Sequence, residues 1–234
     1  MTSALMVRRF LQMADNLDSK NRTELPAPQI IEWLNDAQMQ LITEKYGPFN
    51  KYSTGFEGNE KRSQELRILL EPVAKIKKTK VDEDRVVFGL GEHEAKIMYN
   101  VRVRFKGDTS NCNDIRFSGI FVQTDDLNND VYGPFLEPSL AWREIPYRMT
   151  SEGLEAFQNK ELTLDMLLLE YLRYPKKIDV KGYTHIDGSA SVNQDCELPA
   201  LLHEGVVRRA VTMALATIPD PRYQSIAAIG QQDD

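Results

Sequence analysis

Four oxygen-bearing side chains between residues 126 and 137 have the spacing of a calcium-binding loop. Asp126, Asn128 and Asp130 occupy positions 1, 3 and 5, and Glu137 falls at position 12, as in the loop with which an EF-hand wraps Ca²⁺. Position 6, which needs a glycine for a sharp turn, is Val131, and no amphipathic pattern flanks the segment. These departures from the calcium-loop pattern favour an Asn/Asp-rich turn, with calcium binding as the alternative.

The remaining residues that could support catalysis form incomplete motifs. His203 and Glu204 begin the HExxH pattern of zinc proteases, but Val207 stands where the second imidazole is required. We therefore expect His203 to be a surface or interface residue. Cys112 and Cys196 lie far apart and lack a local motif for an activated thiolate. The sequence predicts a protein that is not an enzyme and that carries no cofactor or metal.

Basic residues concentrate in one part of the chain, between Lys61 and Lys106. The candidate contact face consists of Lys75, Lys77, Lys78, Arg102 and Arg104. Interleaved with Tyr99 and Phe105, these cations could contact nucleic acid. The whole chain has 29 Lys and Arg against 35 Asp and Glu, a net charge of -6, so its surface as a whole does not neutralise phosphates. This acidic balance favours the interpretation that the five cations form a solvated strand face, which discourages edge-to-edge pairing of strands.

The composition is that of a globular protein. The chain has 234 residues, of which 41% are apolar and 27% charged, enough for one sizeable domain or two small ones. No window approaches the roughly 18 to 20 consecutive apolar residues that span a bilayer, so a membrane role is not expected. Two arginines interrupt the N-terminal apolar stretch, which argues against a signal peptide and predicts a protein made in the cytoplasm.

Hydrophobic periodicity changes twice along the chain. Apolar residues three and four apart predict helices over residues 3–17, 30–46 and 60–70, whereas strict alternation over 97–105 predicts a half-buried strand. Neighbouring runs predict a meander of about four strands and then further strands. The Leu-rich run 162–172 fits a strand or a buried helix equally well. A long helix after Pro199 is followed by a tail with few apolar residues.

The order of helices, strands and a final helix predicts an α+β fold. We expect a helical bundle scaffold that carries an antiparallel β insertion and a long C-terminal helix. The predicted divisions are N-terminal helices in 1–72, a β-rich insertion in 73–180, the helix returning to the scaffold in 181–218, and an extended tail arm in 219–234. Three apolar residues of that arm are its candidate partner-docking anchors: Tyr223, Ile226 and Ile229.

Several sequence blocks resemble structural proteins of tailed bacteriophages, particularly of crAss-like phages. In these proteins a helix is followed by a Phe-Glu turn, here Phe56-Glu57, and by a second helix that ends in Leu-Arg-x-Leu, here residues 66–69. A strand run ending in Tyr-x-x-x-Pro matches Tyr171 to Pro175. A C-terminal Leu-Pro-x-x-x-His-Glu-x-Val helix matches residues 198–206. The resemblance covers most of the chain.

This resemblance implies a ring protein of the head-to-tail connector in the virion. Such a subunit stacks as a closed ring of about twelve copies beneath the portal, contacts the portal or adjacent ring proteins, and surrounds passing DNA without reading its sequence. The resemblance also favours a strand for residues 162–172. An acidic ring would let DNA slide, so we expect Arg102 and Arg104 to point away from the lumen or toward a neighbour. A nucleic-acid-binding module that uses the Lys75–Lys106 face remains the alternative, and a calcium-dependent or hydrolytic enzyme is a third.

Overall fold

The computed structural model describes residues 1–17, 25–47, 64–109, 112–124, 138, 141–159, 161–185 and 188–216. Three helices of eight or more residues occur in this part: α1 (Ser3–Leu17), α2 (Ala27–Tyr46) and α3 (Ala200–Ala216). Its strands are β1 (Leu70–Lys77), β2 (Lys80–Val81), β3 (Arg85–Phe88), β4 (Ile97–Thr109), β5 (Ile115–Phe121), β6 (Glu144–Thr150), β7 (Gly153–Phe157) and β8 (Leu162–Arg173). Short 3-10 turns cover Arg67–Leu69 and Gly91–His93. None of the described helices is long and apolar enough to cross a membrane.

The chain divides into two compact units. The helical unit combines Met1–Ile68 with Pro175–Asp234, and the sheet unit is Leu69–Tyr174. Both α1 and α2 pack on α3 in the helical unit, and the rings of Phe10 and Trp33 stack with their centroids 5.9 Å apart. The buried stripe of α3 comprises Leu202, His203, Val206, Val207, Ala210, Val211, Ala214 and Leu215. Its apolar members recur three and four residues apart, as the sequence predicts for a helix packed on one side.

Helix α2 also holds the segment that precedes α3. The side chain of Asn35 donates from Nδ2 to the carbonyl oxygen of Ile178 at 3.0 Å and accepts the Ile178 N–H at Oδ1 at 2.7 Å. One turn along the helix, Gln38 donates to the carbonyl oxygen of Lys176 at 3.2 Å. These bonds satisfy backbone groups of Lys176 and Ile178, and they fix where residues 175–199 begin.

The sheet unit is one eight-stranded mixed sheet with the order β1-β8-β4-β5-β6-β7-β3-β2. All pairs are antiparallel except the parallel pair β5–β6. The outermost strands β1 and β2 are joined by only two residues, Lys78 and Thr79, so the sheet must curl until its two sides meet. The rings of Phe88 on β3 and Phe105 on β4, strands that are not neighbours, accordingly lie with centroids 5.7 Å apart inside the curl.

The predicted helical bundle scaffold with an antiparallel β insertion is wrong. The largest single element of the described structure is the eight-stranded sheet, and this sheet is mixed, not purely antiparallel. The predicted meander is also wrong, because β4 pairs with the distant strand β8 along nearly its whole length. The α+β class and the long C-terminal helix agree with the structure. Local patterns predicted most elements but not their pairing partners, which are set by long-range packing.

The third predicted helix, over residues 60–70, is helical at residues 64–66 and wrong beyond them, and its residues 60–63 lie outside the described part of the chain. Residues 67–69 form a 3-10 turn, and Leu70 begins β1, which passes through Pro72. Proline is tolerated there because β1 pairs only with β8 and the register shifts between Glu71 and Ala74. The strand favoured for the Leu-rich run 162–172 is confirmed as β8. This strand lies between β1 and β4, so it is buried along much of its length and its sequence does not alternate.

Candidate interaction surfaces

The register of four neighbouring strands places six basic side chains on the outer side of the curled sheet. Paired residues of adjacent strands point to the same side. One cross-strand row is Lys77, Met166, Lys106 and Arg116, a second is Lys75, Leu168, Arg104 and Ser118, and a third pairs Arg102 with Glu170. The intervening positions face the core, as in the row Ile76, Leu167, Phe105 and Phe117. We name the six cations the basic face: Lys75, Lys77, Arg102, Arg104, Lys106 and Arg116.

Only two members of the basic face form an ion pair within the described part of the chain. Arg104 donates from Nη2 to Glu170, and the Lys106 ammonium lies 2.8 Å from Asp114. The hydrogen bond and the positive charge of Lys106 hold the pKa of Asp114 below its usual range. The other four are exposed, and they make no ion pair with any described residue: Lys75, Lys77, Arg102 and Arg116. The face therefore presents a net positive field to its surroundings.

The structure distributes the five predicted cations unevenly. Four of them lie on the basic face, whereas Lys78 lies beyond the end of β1 and its Nζ is 2.5 Å from Asp165. Sequence analysis bounded the basic region at Lys106 without naming it as a contact residue, and it missed Arg116. Lys106 continues the alternation of Arg102 and Arg104 along β4, so a longer strand prediction would have included it; Arg116 required knowledge of the β4–β5 register.

An acidic turn lies elsewhere on the sheet unit. Residues 82–84, between β2 and β3, are Asp82, Glu83 and Asp84, and all three are exposed. Backbone atoms hold this turn, since the Asp82 N–H donates to the Arg85 carbonyl and the Gln158 N–H donates to the Asp84 carbonyl. None of the three carboxylates forms an ion pair with a described residue. The turn therefore carries three negative charges that are not neutralised by an ion pair within the described part of the unit.

A buried carboxylate organises the segment before α3. Asp179 is 5% exposed and accepts at Oδ1 from the Tyr183 hydroxyl at 2.6 Å and from the Val180 N–H at 2.8 Å. Its Oδ2 accepts the Val192 N–H at 2.7 Å and lies 3.2 Å from His185 Nε2. Burial acts to raise the pKa of Asp179, but these hydrogen bonds together outweigh it and hold that pKa below its usual range. Burial and Asp179 raise the pKa of Tyr183.

His203 is buried, so the expectation of a surface or interface histidine is wrong. Its Nε2 lies 2.7 Å from the Leu198 carbonyl oxygen, and its Nδ1 lies 2.6 Å from the amino nitrogen of Met1. Both ring nitrogens are thereby occupied within the helical unit, where the side chain fixes the start of α3. The thiol of Cys196 is also buried, which raises its pKa; an unreactive thiol follows. The other cysteine, Cys112, is exposed.

A groove of about 370 Å³ lies between α2 and α3 in the helical unit. Its charged lining is arranged in ion pairs, because Arg209 contacts Glu44 and Lys45 lies 2.6 Å from Glu65. No group of three or more metal-ligating side chains occurs among the described residues. The candidate calcium ligands Asp126, Asn128, Asp130 and Glu137 lie outside the described residues, as do the tail anchors Tyr223, Ile226 and Ile229.

Comparison with known proteins gives matches along most of the chain. A family model described as phage tail ring protein 3/4 matches residues 2–221. Ring protein 3 of Bacteroides phage crAss001 is 28% identical over 192 residues, which cover 78% of this chain and 81% of that protein. Ring protein 4/5 of the same phage is 23% identical over 214 residues, which cover 86% of each.

Proposed function

The chain belongs to the phage tail ring protein 3/4 family, and on that premise we propose that it forms a closed ring in the head-to-tail connector of a virion. The predicted resemblance to ring proteins of crAss-like phages is confirmed. The family is one of structural proteins. The observation that carries the proposal is the family match itself, because it extends over both units of the fold.

In the proposed assembly, about twelve copies close a ring by heterologous contacts, in which one surface of a subunit binds a different surface of the next. The ring lies below the portal, against the portal or an adjacent ring, and surrounds the channel through which DNA passes. A net charge of -6 per copy supports this arrangement, because a wall with an acidic balance does not retain phosphates.

The C-terminal residues 219–234 supply the contact with the adjacent ring or the portal. Their apolar residues Tyr223, Ile226 and Ile229 are too sparse for a core of their own, but spaced anchors of this kind suit grooves on a partner. Deletion of residues 220–234 is expected to abolish docking and to leave the circular dichroism spectrum and the melting temperature unchanged. A truncated chain that unfolds would assign these residues to the core of the subunit instead.

Light scattering tests the proposal directly. The mass of the purified protein is measured alone and after mixing with the portal and the neighbouring ring proteins of the same virus, and large species are imaged as particles. A closed ring, alone or on a partner, is the expected result. A chain that remains monomeric with every partner would contradict the proposal.

The basic face favours a second candidate function, a nucleic-acid-binding module. Four exposed cations without ion-pair partners in the described chain could contact successive phosphates, and such binding would weaken steeply as salt rises. Fluorescence anisotropy with a labelled duplex at 50 and 200 mM salt separates the candidates. Strong binding at the lower concentration that is lost at the higher one, by a chain that forms no ring, would support the module.

A further inference from the structure

We propose that the basic face of each subunit binds the acidic turn of the next subunit, residues 82–84, and that this pair of surfaces sets the direction of the ring. The inference rests on the proposed ring assembly and names the surfaces that close it. A heterologous contact needs two different complementary surfaces on the same molecule, and the sheet unit carries one of each sign.

Within the described part of the chain, the charges on both surfaces are left without ion-pair partners. On the basic face, Lys75, Lys77, Arg102 and Arg116 are exposed and make no ion pair with a described residue. The three carboxylates of the acidic turn are equally exposed, and the turn is held by backbone hydrogen bonds that do not need them. Unmatched charges of opposite sign steer association and suppress wrong orientations, because contacts between like surfaces repel.

The neighbours of the cations favour a protein partner over DNA. Met166, Leu168 and Ser118 lie between the cations in the two longer cross-strand rows, and no position in those rows is aromatic. Base-stacking rings characterise single-strand binding surfaces and are absent from these rows, whereas Met and Arg, here Met166, Arg102 and Arg116, are enriched at protein interfaces.

Charge reversal with a mixing step tests the pairing. Variant A carries Lys75→Glu, Lys77→Glu and Arg116→Glu, so both of its surfaces are acidic. Variant B carries Asp82→Lys, Glu83→Lys and Asp84→Lys, so both of its surfaces are basic. Each variant alone is expected to form at least tenfold fewer rings than the wild type, because every contact would join like charges.

An equimolar mixture of A and B is expected to recover ring formation, because alternating copies restore an opposite-charge contact at every interface. A single chain with all six substitutions should recover it as well. The matched control reverses three exposed cations of the helical unit, Arg8→Glu, Lys177→Glu and Lys181→Glu, which give the same change in net charge as variant A. It should assemble like the wild type. Circular dichroism confirms that each variant is folded.

The outcomes separate this inference from the proposed function. If the wild type forms no ring with any partner, the proposed function fails. If the wild type forms rings and A and B also do so, or if the mixture of A and B does not recover them, the pairing is wrong while the ring remains. If variant A forms normal rings but binds a DNA duplex at least tenfold more weakly than the wild type, the basic face contacts DNA and the pairing is likewise overturned.

Discussion

Replacement of Asp179 should destabilise the helical unit more than replacement of any exposed carboxylate. This side chain bonds both arms of the hairpin that runs from residue 179 to residue 194. It accepts from Val180 and Tyr183 on the first arm and from Val192 on the second. The backbone of Asp179 is paired with that of Gln194 through two hydrogen bonds of 3.0 Å. The carboxylate therefore closes the segment that leads into α3.

The size of the effect follows from the donors that lose their acceptor. In Asp179→Ala, two backbone N–H groups and the Tyr183 hydroxyl lose their acceptor. Each buried donor left without an acceptor costs about 1–3 kcal/mol. Water entering the new space offsets part of this, so we expect a loss of about 3 kcal/mol. In Asp179→Asn, the amide can be placed in two orientations. In either one its NH₂ group faces a backbone N–H, that of Val180 or that of Val192, and two donors cannot bond each other. The expected loss is about 1–2 kcal/mol.

Urea unfolding followed by Trp33 fluorescence measures this loss. The chain has two tryptophans, and in a Trp142→Phe background the signal reports Trp33, which stacks on Phe10 in the helical unit. For a chain of this size, a loss of about 3 kcal/mol corresponds to a melting temperature lower by about 6–12 °C. The matched controls are Asp36→Ala and Asp36→Asn, because Asp36 is an exposed carboxylate of α2 in the same unit. They should change the free energy of unfolding by less than about 0.5 kcal/mol.

The pH dependence provides an independent check. The native pKa of Asp179 lies below the value of 3.8 expected for a free aspartate, so the ionised carboxylate stabilises the native state. That contribution is present in full well above pH 3.8 and is lost as the pH falls through the native pKa. The stability difference between the wild type and Asp179→Asn should therefore shrink below about pH 4. A deficit that grows on acidification, or an Asp179→Ala variant as stable as the wild type, would refute the reasoning.

Three further predictions concern the sheet unit, and thermal unfolding checks each of them. Gly153 has φ +128°, and an added Cβ would collide with the carbonyl oxygen of Phe88; Gly153→Ala should cost about 3 kcal/mol. Phe105 is fully buried in the core, and Phe105→Ala should cost about 4 kcal/mol through lost contacts and the cavity left behind. Glu155 is buried and bonds Arg148, so Glu155→Ala, which leaves that guanidinium without its carboxylate, should cost about 3 kcal/mol. Variants that melt with the wild type would contradict each assignment.

Local sequence patterns predicted those elements that bury one side and expose the other. The helix over residues 3–17 and the alternating strand over 97–105 each bury one side, so their apolar periodicity matches their secondary structure. The run 162–172 is ambiguous because β8 lies in the interior of the sheet and most of its outward positions are apolar, as at Met166 and Leu168, so its sequence has no clear period. The pairing of β4 with β8 and the parallel pair β5–β6 join segments far apart in sequence, and no local pattern encodes them.

The contrast between local patterns and long-range pairing also explains which surface residues could be predicted from the sequence. The basic face was found where its cations follow one another at every second position, as Arg102 and Arg104 do, and was missed where it crosses to Arg116 on a neighbouring strand. The cluster around Asp179 was missed because its members belong to irregular backbone. Its only signal in the sequence is a group of polar residues, Asp179, Tyr183 and His185, in a loop, and a loop is expected to be polar whether or not its side chains are bonded.

The edge of the sheet indicates how copies of this subunit can meet. In the described part of the chain, β1 is paired on one side only, and an unpaired edge of eight residues is a template for strand addition. Pro72 removes one backbone donor from β1, and Lys75 and Lys77 place charge on this strand; proline and charged residues on an edge strand suppress edge-to-edge pairing. Contacts between copies are then left to side-chain surfaces such as the basic face and the acidic turn. Because those two surfaces differ in sign and lie at different places on the subunit, they can pair head to tail, which is the orientation that a closed ring requires.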